Sequence, residues 1–186
     1  MTRVLLIHAG PTPWDAENRV TGAQSLPLTP DAVASITALI DALRATPPTA
    51  IYLHKANEAC LLAGKLLATN FNLRLRDNEG LGEMRLGLWE GLTRDELRRR
   101  FPTVVPQWQE EPLSVRPPEG ESLGEAIDRV KPALEKILRR NREGSVCLVL
   151  RPLMLQIIHG LLHHESPQTI AGHLNSVDVM EMIEVE

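Results

Sequence analysis

A histidine stands at the end of the first apolar segment, where the chain breaks into a polar loop. Residues 4–7 read Val-Leu-Leu-Ile, His8 follows, and Ala9-Gly10-Pro11 ends the apolar run. Open α/β sheets place their ligand sites where a strand ends in such a loop. A histidine there could act as a nucleophile or as a general acid and base. His8 is therefore the first candidate for a catalytic residue.

Three further histidines raise the question of a metal site. His159 and His163 are four residues apart on a predicted helix, so both could face one ion, and His164 follows directly. No glutamate follows His159 as the zinc-protease pattern requires, and the segment lies after a strand rather than in the loop. We therefore predict neither a metal site nor a cofactor.

Strand-like and helix-like patterns alternate along the chain and must position these residues. Short apolar runs predict strands at 4–7, 50–53, 73–76, 145–150 and 177–185. Periodic apolar residues and capping signals predict helices at 30–45, 56–71, 93–101, from 122 to before 144, at 152–162, and from 166 onward. The alternation predicts an α/β fold, a three-layer αβα sandwich whose mainly parallel sheet carries helices on both faces.

The 186 residues suit one domain, 1–186, with an inserted flap of about 76–121 over the strand ends. Within the flap, the proline-rich stretch 105–121 is predicted to be a loop. The two cysteines, Cys60 and Cys147, lie in apolar segments and are expected to be buried thiols.

Charge and hydropathy exclude several partners. The formal net charge of −4 argues against binding nucleic acid or an anionic membrane. No apolar stretch approaches the ~20 residues of a membrane span, so the expected compartment is the cytoplasm.

Several motifs occur at the spacing of a known family. Residues 8–15, His-Ala-Gly-Pro-Thr-Pro-Trp-Asp, are similar to its opening signature Arg-His-Gly-x-Thr-x-Trp-Asn. Residues 18–22 and 27–29 are similar to Gly-Arg-x-x-Gly and Pro-Leu-Thr, and residues 83–93 look like its acid-bearing segment. Residues 149–152 occupy the place of Val-Ser-His-Gly. The chain thus resembles the histidine phosphatase superfamily, the phosphoglycerate mutase-like proteins, over essentially its whole length.

The resemblance implies a phosphoryl-transfer site whose key positions have changed. In the family one histidine is phosphorylated, two arginines and a second histidine hold the phosphoryl group, and a carboxylate serves as acid and base. Here the nucleophile position is Ala9, the arginine before it is His8, and the second arginine is Glu58. The second histidine is Arg151, while Glu83 keeps the acid position.

We therefore expect a catalytically inactive member, a pseudophosphatase with a binding or regulatory role at the vestigial phosphate pocket. Arg19 and Thr21, which fit the family pattern, are its candidate ligand-binding residues. The opposite charges of Glu58 and Arg151 suggest an ion pair across that pocket.

Two alternatives stay open. One is a weak phosphomonoesterase or phosphoglycerate mutase-like enzyme that uses His8 and Glu83. The other is an assembly role as a homodimer. The partner is expected to be a small molecule or a protein.

Overall fold

The structure, a computed structural model, describes residues 2–173 and 180–185, and its strands form a five-stranded sheet. The strands are β1 (Thr2–His8), β2 (Ala50–Leu53), β3 (Leu75–Asp77), β4 (Ser145–Leu150) and β5 (Met180–Val185). The helices are α1 (Pro13–Ala16), α2 (Pro30–Leu43), α3 (Glu58–Phe71), α4 (Arg94–Arg100), α5 (Val104–Glu110), α6 (Leu123–Arg140), α7 (Pro152–Leu162) and α8 (Pro167–His173). Short 3-10 turns occur at Glu79–Leu81, Gly87–Trp89 and Pro112–Ser114.

The sheet order is β3-β2-β4-β1-β5, and β5 pairs antiparallel with β1 while the other pairings are parallel. Alternate residues of β1 enter two different cores. Val4 and Leu6 pack with α6, α7 and α8 on one face, whereas Leu5 and Ile7 pack with α2 and α3 on the other. The predicted fold class, an α/β sandwich with helices on both faces of a mainly parallel sheet, is confirmed.

Local capping explains why several helices begin where the sequence predicts. Thr29 Oγ1 accepts the Ala32 N–H at 3.3 Å, and Pro30 occupies the first helical position of α2. Ser122 and Glu125 form a capping box at the start of α6. The cysteines are free and buried, as expected.

One helix falls where the sequence analysis expects a loop. The helix α5 (Val104–Glu110) overlaps the stretch 105–121. Its proline, Pro106, does not prevent the helix, because it sits in the first turn, where proline is tolerated. Trp108 of α5 meets Trp89 edge to face, with ring centroids 5.7 Å apart. This aromatic contact holds the helix against the core of the α6 face.

The bounds of the third strand also differ from the prediction. The third strand begins at Leu75 instead of Leu73, because the Leu73 N–H still bonds the Ala68 carbonyl at 2.9 Å and Asn72 adopts a left-handed cap at the end of α3. The last strand begins at Met180, and the predicted residues 177–179 lie outside the described residues. The short helix α1 was not predicted.

Within the described residues, no helix has both the length and the apolar character that crossing a bilayer requires.

Two glycines in helices give a matched test of the packing between α3 and β2. A Cβ added at Gly64 would overlap Leu53 Cδ2, and Leu53 is fully buried, whereas at Gly124 the nearest atom is Ser122 Oγ at 3.9 Å. We expect Gly64→Ala to lower the free energy of unfolding by about 1 to 3 kcal/mol through overpacking. Gly124→Ala should raise it by about 0.5 to 1 kcal/mol through helix propensity. Urea denaturation measures both, and a stabilised Gly64→Ala variant would contradict the packing.

Candidate functional site

The loop after β1 begins at the carboxyl edge of the sheet, next to the end of β4. His8 pairs in register with Leu150, and the Ala9 N–H donates to the Leu150 carbonyl at 2.8 Å. Gly10 then turns the chain with φ +108°, and a Cβ there would approach Ala32 Cβ to 2.8 Å. This turn places His8 and Ala9 beside Arg151, the residue that follows β4.

Arg151 is 2% exposed and binds the loop that begins at His8. One terminal nitrogen donates to the Gly10 carbonyl at 2.5 Å, and the other bonds Asp15 Oδ2 at 3.2 Å. Asp15 Oδ2 also accepts the Thr12 N–H at 2.6 Å and the Thr12 hydroxyl at 2.7 Å. Burial raises the pKa of Asp15, but the bonds from Thr12 and Arg151 outweigh it and leave that pKa below its ordinary value.

The expected ion pair between Glu58 and Arg151 is wrong. Glu58 is exposed at the first position of α3, and Arg151 pairs with Asp15. The sequence analysis did not single out Asp15 as a site residue. The pattern Thr12-x-x-Asp15, which forms a capping box at the start of α1, was the signal that could have indicated its position.

Glu83 is buried against the first turn of α7. Its Oε1 accepts the N–H groups of Met84 at 2.7 Å and Met154 at 2.9 Å, and its Oε2 accepts that of Leu153 at 2.9 Å. Burial raises the pKa of Glu83 to about 7, against the opposing effects of these donors and of Arg151. We call His8, Asp15, Glu83 and Arg151 the polar centre, of which Glu83 and Arg151 are buried, His8 is half-buried and Asp15 is exposed.

His8 is half-buried and Ala9 is fully buried. The Nε2 atom of His8 is buried without a hydrogen-bond partner. Burial, and then the charge of Arg151, lower the pKa of His8 to about 4, although Asp15 raises it. The imidazole is therefore neutral near pH 7. Ala9 is fully buried in the core between the sheet, α2 and α3.

A cleft of about 330 Å³ opens beside Glu83. It is lined by Ala23, His54, Ala56, Asn57, Glu79, Gly82, Glu83, Arg85 and Arg129. Of the polar centre, Glu83 is the member that lines this cleft. The structure thus brings one predicted site residue, Glu83, to an open cavity, whereas His8, Ala9 and Arg151 do not line it.

A buried ion pair holds the wall of the cleft. Glu121 is 2% exposed and accepts two bonds from Arg129, the shorter at 2.7 Å, and one from the Arg85 N–H at 3.0 Å. Arg129 also donates to the carbonyls of Gly80 and Gly82, both at 3.0 Å. These bonds fix the backbone on both sides of Glu83. The sequence analysis placed no function on this pair, because its residues belong to the flap and to α6.

Arg19 and Thr21 do not line the cleft. Arg19 donates to Glu17 Oε2 at 2.6 Å and to the Gly91 carbonyl at 2.8 Å. Thr21 is half-buried, and its carbonyl accepts the Gln24 N–H at 3.2 Å. Arg19 therefore ties the first loop to the flap, and its part in ligand binding stays a prediction.

The described residues contain no group of three or more His, Cys, Asp or Glu side chains that could hold a metal ion. The ring centroids of His159, in α7, and His163, the residue that follows this helix, lie 4.5 Å apart.

Known proteins resemble the chain over most of its length. The family profile described as histidine phosphatase superfamily (branch 1) matches residues 4–183, from β1 into β5. Phosphoserine phosphatase 1 of Hydrogenobacter thermophilus is 23% identical over 159 residues, which are 86% of this chain and 75% of that protein. The 2,3-bisphosphoglycerate-dependent phosphoglycerate mutase 2 of Gloeobacter violaceus is 26% identical over 169 residues, covering 86% of this chain and 77% of that protein. The solved structure of Bacillus stearothermophilus YhfR matches with a TM-score of 0.89 and 26% identity, covering 100% of this chain and 92% of that chain.

The pair Glu121–Arg129 should contribute strongly to stability. Glu121→Gln leaves the largely buried Arg129 without its carboxylate, so we expect the free energy of unfolding to fall by on the order of 3 kcal/mol. Glu135→Gln, which removes the exposed pair with Arg139, should cost less than about 0.5 kcal/mol. Urea denaturation of both variants tests this, and equal losses would show that the buried pair has no special role.

The pKa shifts of Glu83 and His8 predict opposite pH dependences of stability. With the pKa of Glu83 raised from 4.5 to about 7, the folded state loses stability as pH rises through that range. With the pKa of His8 lowered from 6.5 to about 4, the folded state loses stability as pH falls through that range. In the unmodified protein the two slopes oppose each other between these limits.

Removing either group should therefore reveal the slope of the other. Glu83→Gln should become more stable as pH rises toward 6.5, and His8→Gln should become less stable as pH rises toward 7. Each change in the free energy of unfolding is at most about 3.5 kcal/mol, at ~1.4 kcal/mol per pKa unit. Chemical denaturation across this pH range measures both, and parallel profiles for the two variants would refute the assignment.

Proposed function

The chain belongs to the histidine phosphatase superfamily (branch 1), and on that premise we propose that it is a pseudophosphatase, which binds a ligand beside Glu83 and does not hydrolyse a phosphate ester. The observation that carries this proposal is Ala9. It stands in the family's nucleophile position, has no side-chain nitrogen, and is fully buried. Losing the nucleophile of a cooperating catalytic set costs on the order of a millionfold in turnover.

His8 is a poor substitute for the missing nucleophile. An attacking imidazole must present a nitrogen to the phosphorus atom, but the Nε2 of His8 is buried. Its neighbour Arg151 does not offer a free cation either, since its guanidinium is bonded to Gly10 and Asp15. The exposed carboxylate of Glu58 replaces the second arginine of the family pattern and would repel a phosphate.

The cleft supports the binding part of the proposal. Its volume of about 330 Å³ lies at the lower end of the range found for small-molecule pockets. We propose a small molecule or a protein segment as the ligand, in the cytoplasm. We also propose that the chain associates as a homodimer. The structure contains one copy of the chain and so shows no contact between copies.

A second candidate function has one observation in its favour. A carboxyl group with a pKa of about 7, such as that of Glu83, suits a general acid near neutral pH. A weak phosphomonoesterase that uses His8 and Glu83 would exploit this property. Against it, Glu83 already accepts three backbone N–H groups, which leaves its carboxylate little freedom to reach a substrate.

Turnover of p-nitrophenyl phosphate separates the two functions. We expect the unmodified protein to release nitrophenol no faster than its His8→Ala and Glu83→Gln variants, because none of the three has a nucleophile. The phosphoserine phosphatase of Hydrogenobacter thermophilus serves as an active reference. Glu79→Gln is the matched control, since Glu79 lines the same cleft but its carboxylate makes no hydrogen bond or ion pair within the described part of the chain.

Activity that disappears in His8→Ala or Glu83→Gln and persists in Glu79→Gln would refute the pseudophosphatase and support the weak enzyme.

A further inference from the structure

Every backbone N–H in the first turn of α7 is either absent or already bonded. Pro152, at the first helical position, has no N–H. The next two, from Leu153 and Met154, donate to Glu83 at 2.9 Å each. The fourth, from Leu155, donates to the Arg151 carbonyl at 2.9 Å. This helix terminus therefore has no donor left for a ligand.

The N-terminus of a helix such as α7 favours an anion. Unbonded N–H groups and the helix dipole together create a positive potential at the N-terminus of a helix. In this protein the anion is the Glu83 carboxylate, which is 7% exposed and binds through both oxygens. An internal acid thus fills a site that the helix geometry prepares for an oxyanion.

The position of Glu83 is imposed by its surroundings. Arg129 holds the carbonyls of Gly80 and Gly82, and Glu121 accepts the Arg85 N–H. Because the backbone is bonded on both sides of Glu83, its side chain is held against α7. The fold therefore fixes the contact between the Glu83 side chain and α7.

The charges around the cleft also disfavour an external phosphate. Arg129 is bonded to Glu121, and Arg85 lies within 3.4 Å of the same carboxylate. Glu79 also lines the cleft and has no ion pair within the described residues. Three carboxylates, Glu79, Glu83 and Glu121, therefore stand against two guanidinium groups, so the net charge is −1 when Glu83 is ionised and a dianion would meet net repulsion.

We propose that the Glu83 carboxylate is an internal anion that occupies the N-terminus of α7 and excludes an external phosphoryl group, so that the ligand of the cleft carries no phosphate. The statement about the ligand rests on the proposed binding function, whereas the exclusion by Glu83 stands independently of it.

Inorganic phosphate is the probe that tests this exclusion. Calorimetric titration should detect no binding of millimolar phosphate to the unmodified protein, at a pH about one unit above the pKa of Glu83. Glu83→Ala frees the N–H groups of both Leu153 and Met154, whereas Glu83→Gln removes the charge and one acceptor oxygen and frees at least one of them. Phosphate should then bind at least about tenfold more tightly. Adding Pro152→Ala to Glu83→Gln restores one more N–H and should tighten binding further.

Two control variants separate the freed donors from a simple change of charge. Glu79→Gln removes the same charge from the same cleft without freeing an N–H and should bind phosphate no better than the unmodified protein. Pro152→Ala alone keeps Glu83 in place and should also bind none. The proposal is overturned if Glu83→Gln and Glu83→Ala fold cooperatively and bind phosphate no more tightly than Glu79→Gln.

A measurement on the unmodified protein keeps the proposal testable if the Glu83 variants do not fold. The amide resonances of Leu153 and Met154 should not move when millimolar phosphate is added. Saturable shifts at these two amides would overturn the proposal. Both readouts report binding without turnover, so they fail independently of the p-nitrophenyl phosphate assay that tests the proposed function.

Discussion

A buried guanidinium must find acceptors, and the way Arg151 does so determines the chemistry of the site. Its bonds to Gly10 and Asp15 connect the start of α7 to the loop after β1. Its charge also acts to lower the pKa values of His8, Asp15 and Glu83, although burial outweighs this effect at Glu83. An arginine that is paired in this way stabilises the loop and is not available to hold a substrate anion. Arg151 is thus a structural centre of the site.

Two neighbouring carboxylates are also bonded to groups of the protein. Glu83 is bonded to backbone N–H groups, and Glu121 is bonded to Arg129. Perturbed pKa values often indicate catalytic sites, but buried structural networks produce them as well. Here two of the shifted groups, Asp15 and Glu83, make their hydrogen bonds to the protein itself.

The architecture is nevertheless that of the family. The loop after β1, the start of α7 and the flap still meet at the carboxyl edge of the sheet, where α/β proteins bind ligands. A cleft opens there, lined by both acidic and basic side chains. Fold and function are separable because the fold depends on the apolar faces of the sheet and helices, whereas function depends on a few side chains at its edge.

The sequence by itself determined the order of the elements and the residue types at the candidate site. Apolar periodicity and capping residues such as Thr29 and Ser122 act within a few positions of the chain, so the order of strands and helices could be predicted from local patterns. That Ala9 has no side-chain nitrogen is likewise a property of one residue.

The tertiary structure decided the pairings. Arg151 and Asp15 are separated by 136 residues, and Glu83 and Leu153 by 70, so no local pattern indicates that they meet. The same holds for α5, whose contact with Trp89 outweighs the local signal of the prolines in and around it. Contacts of this kind depend on how the sheet brings distant segments together, and that information is distributed over the whole fold.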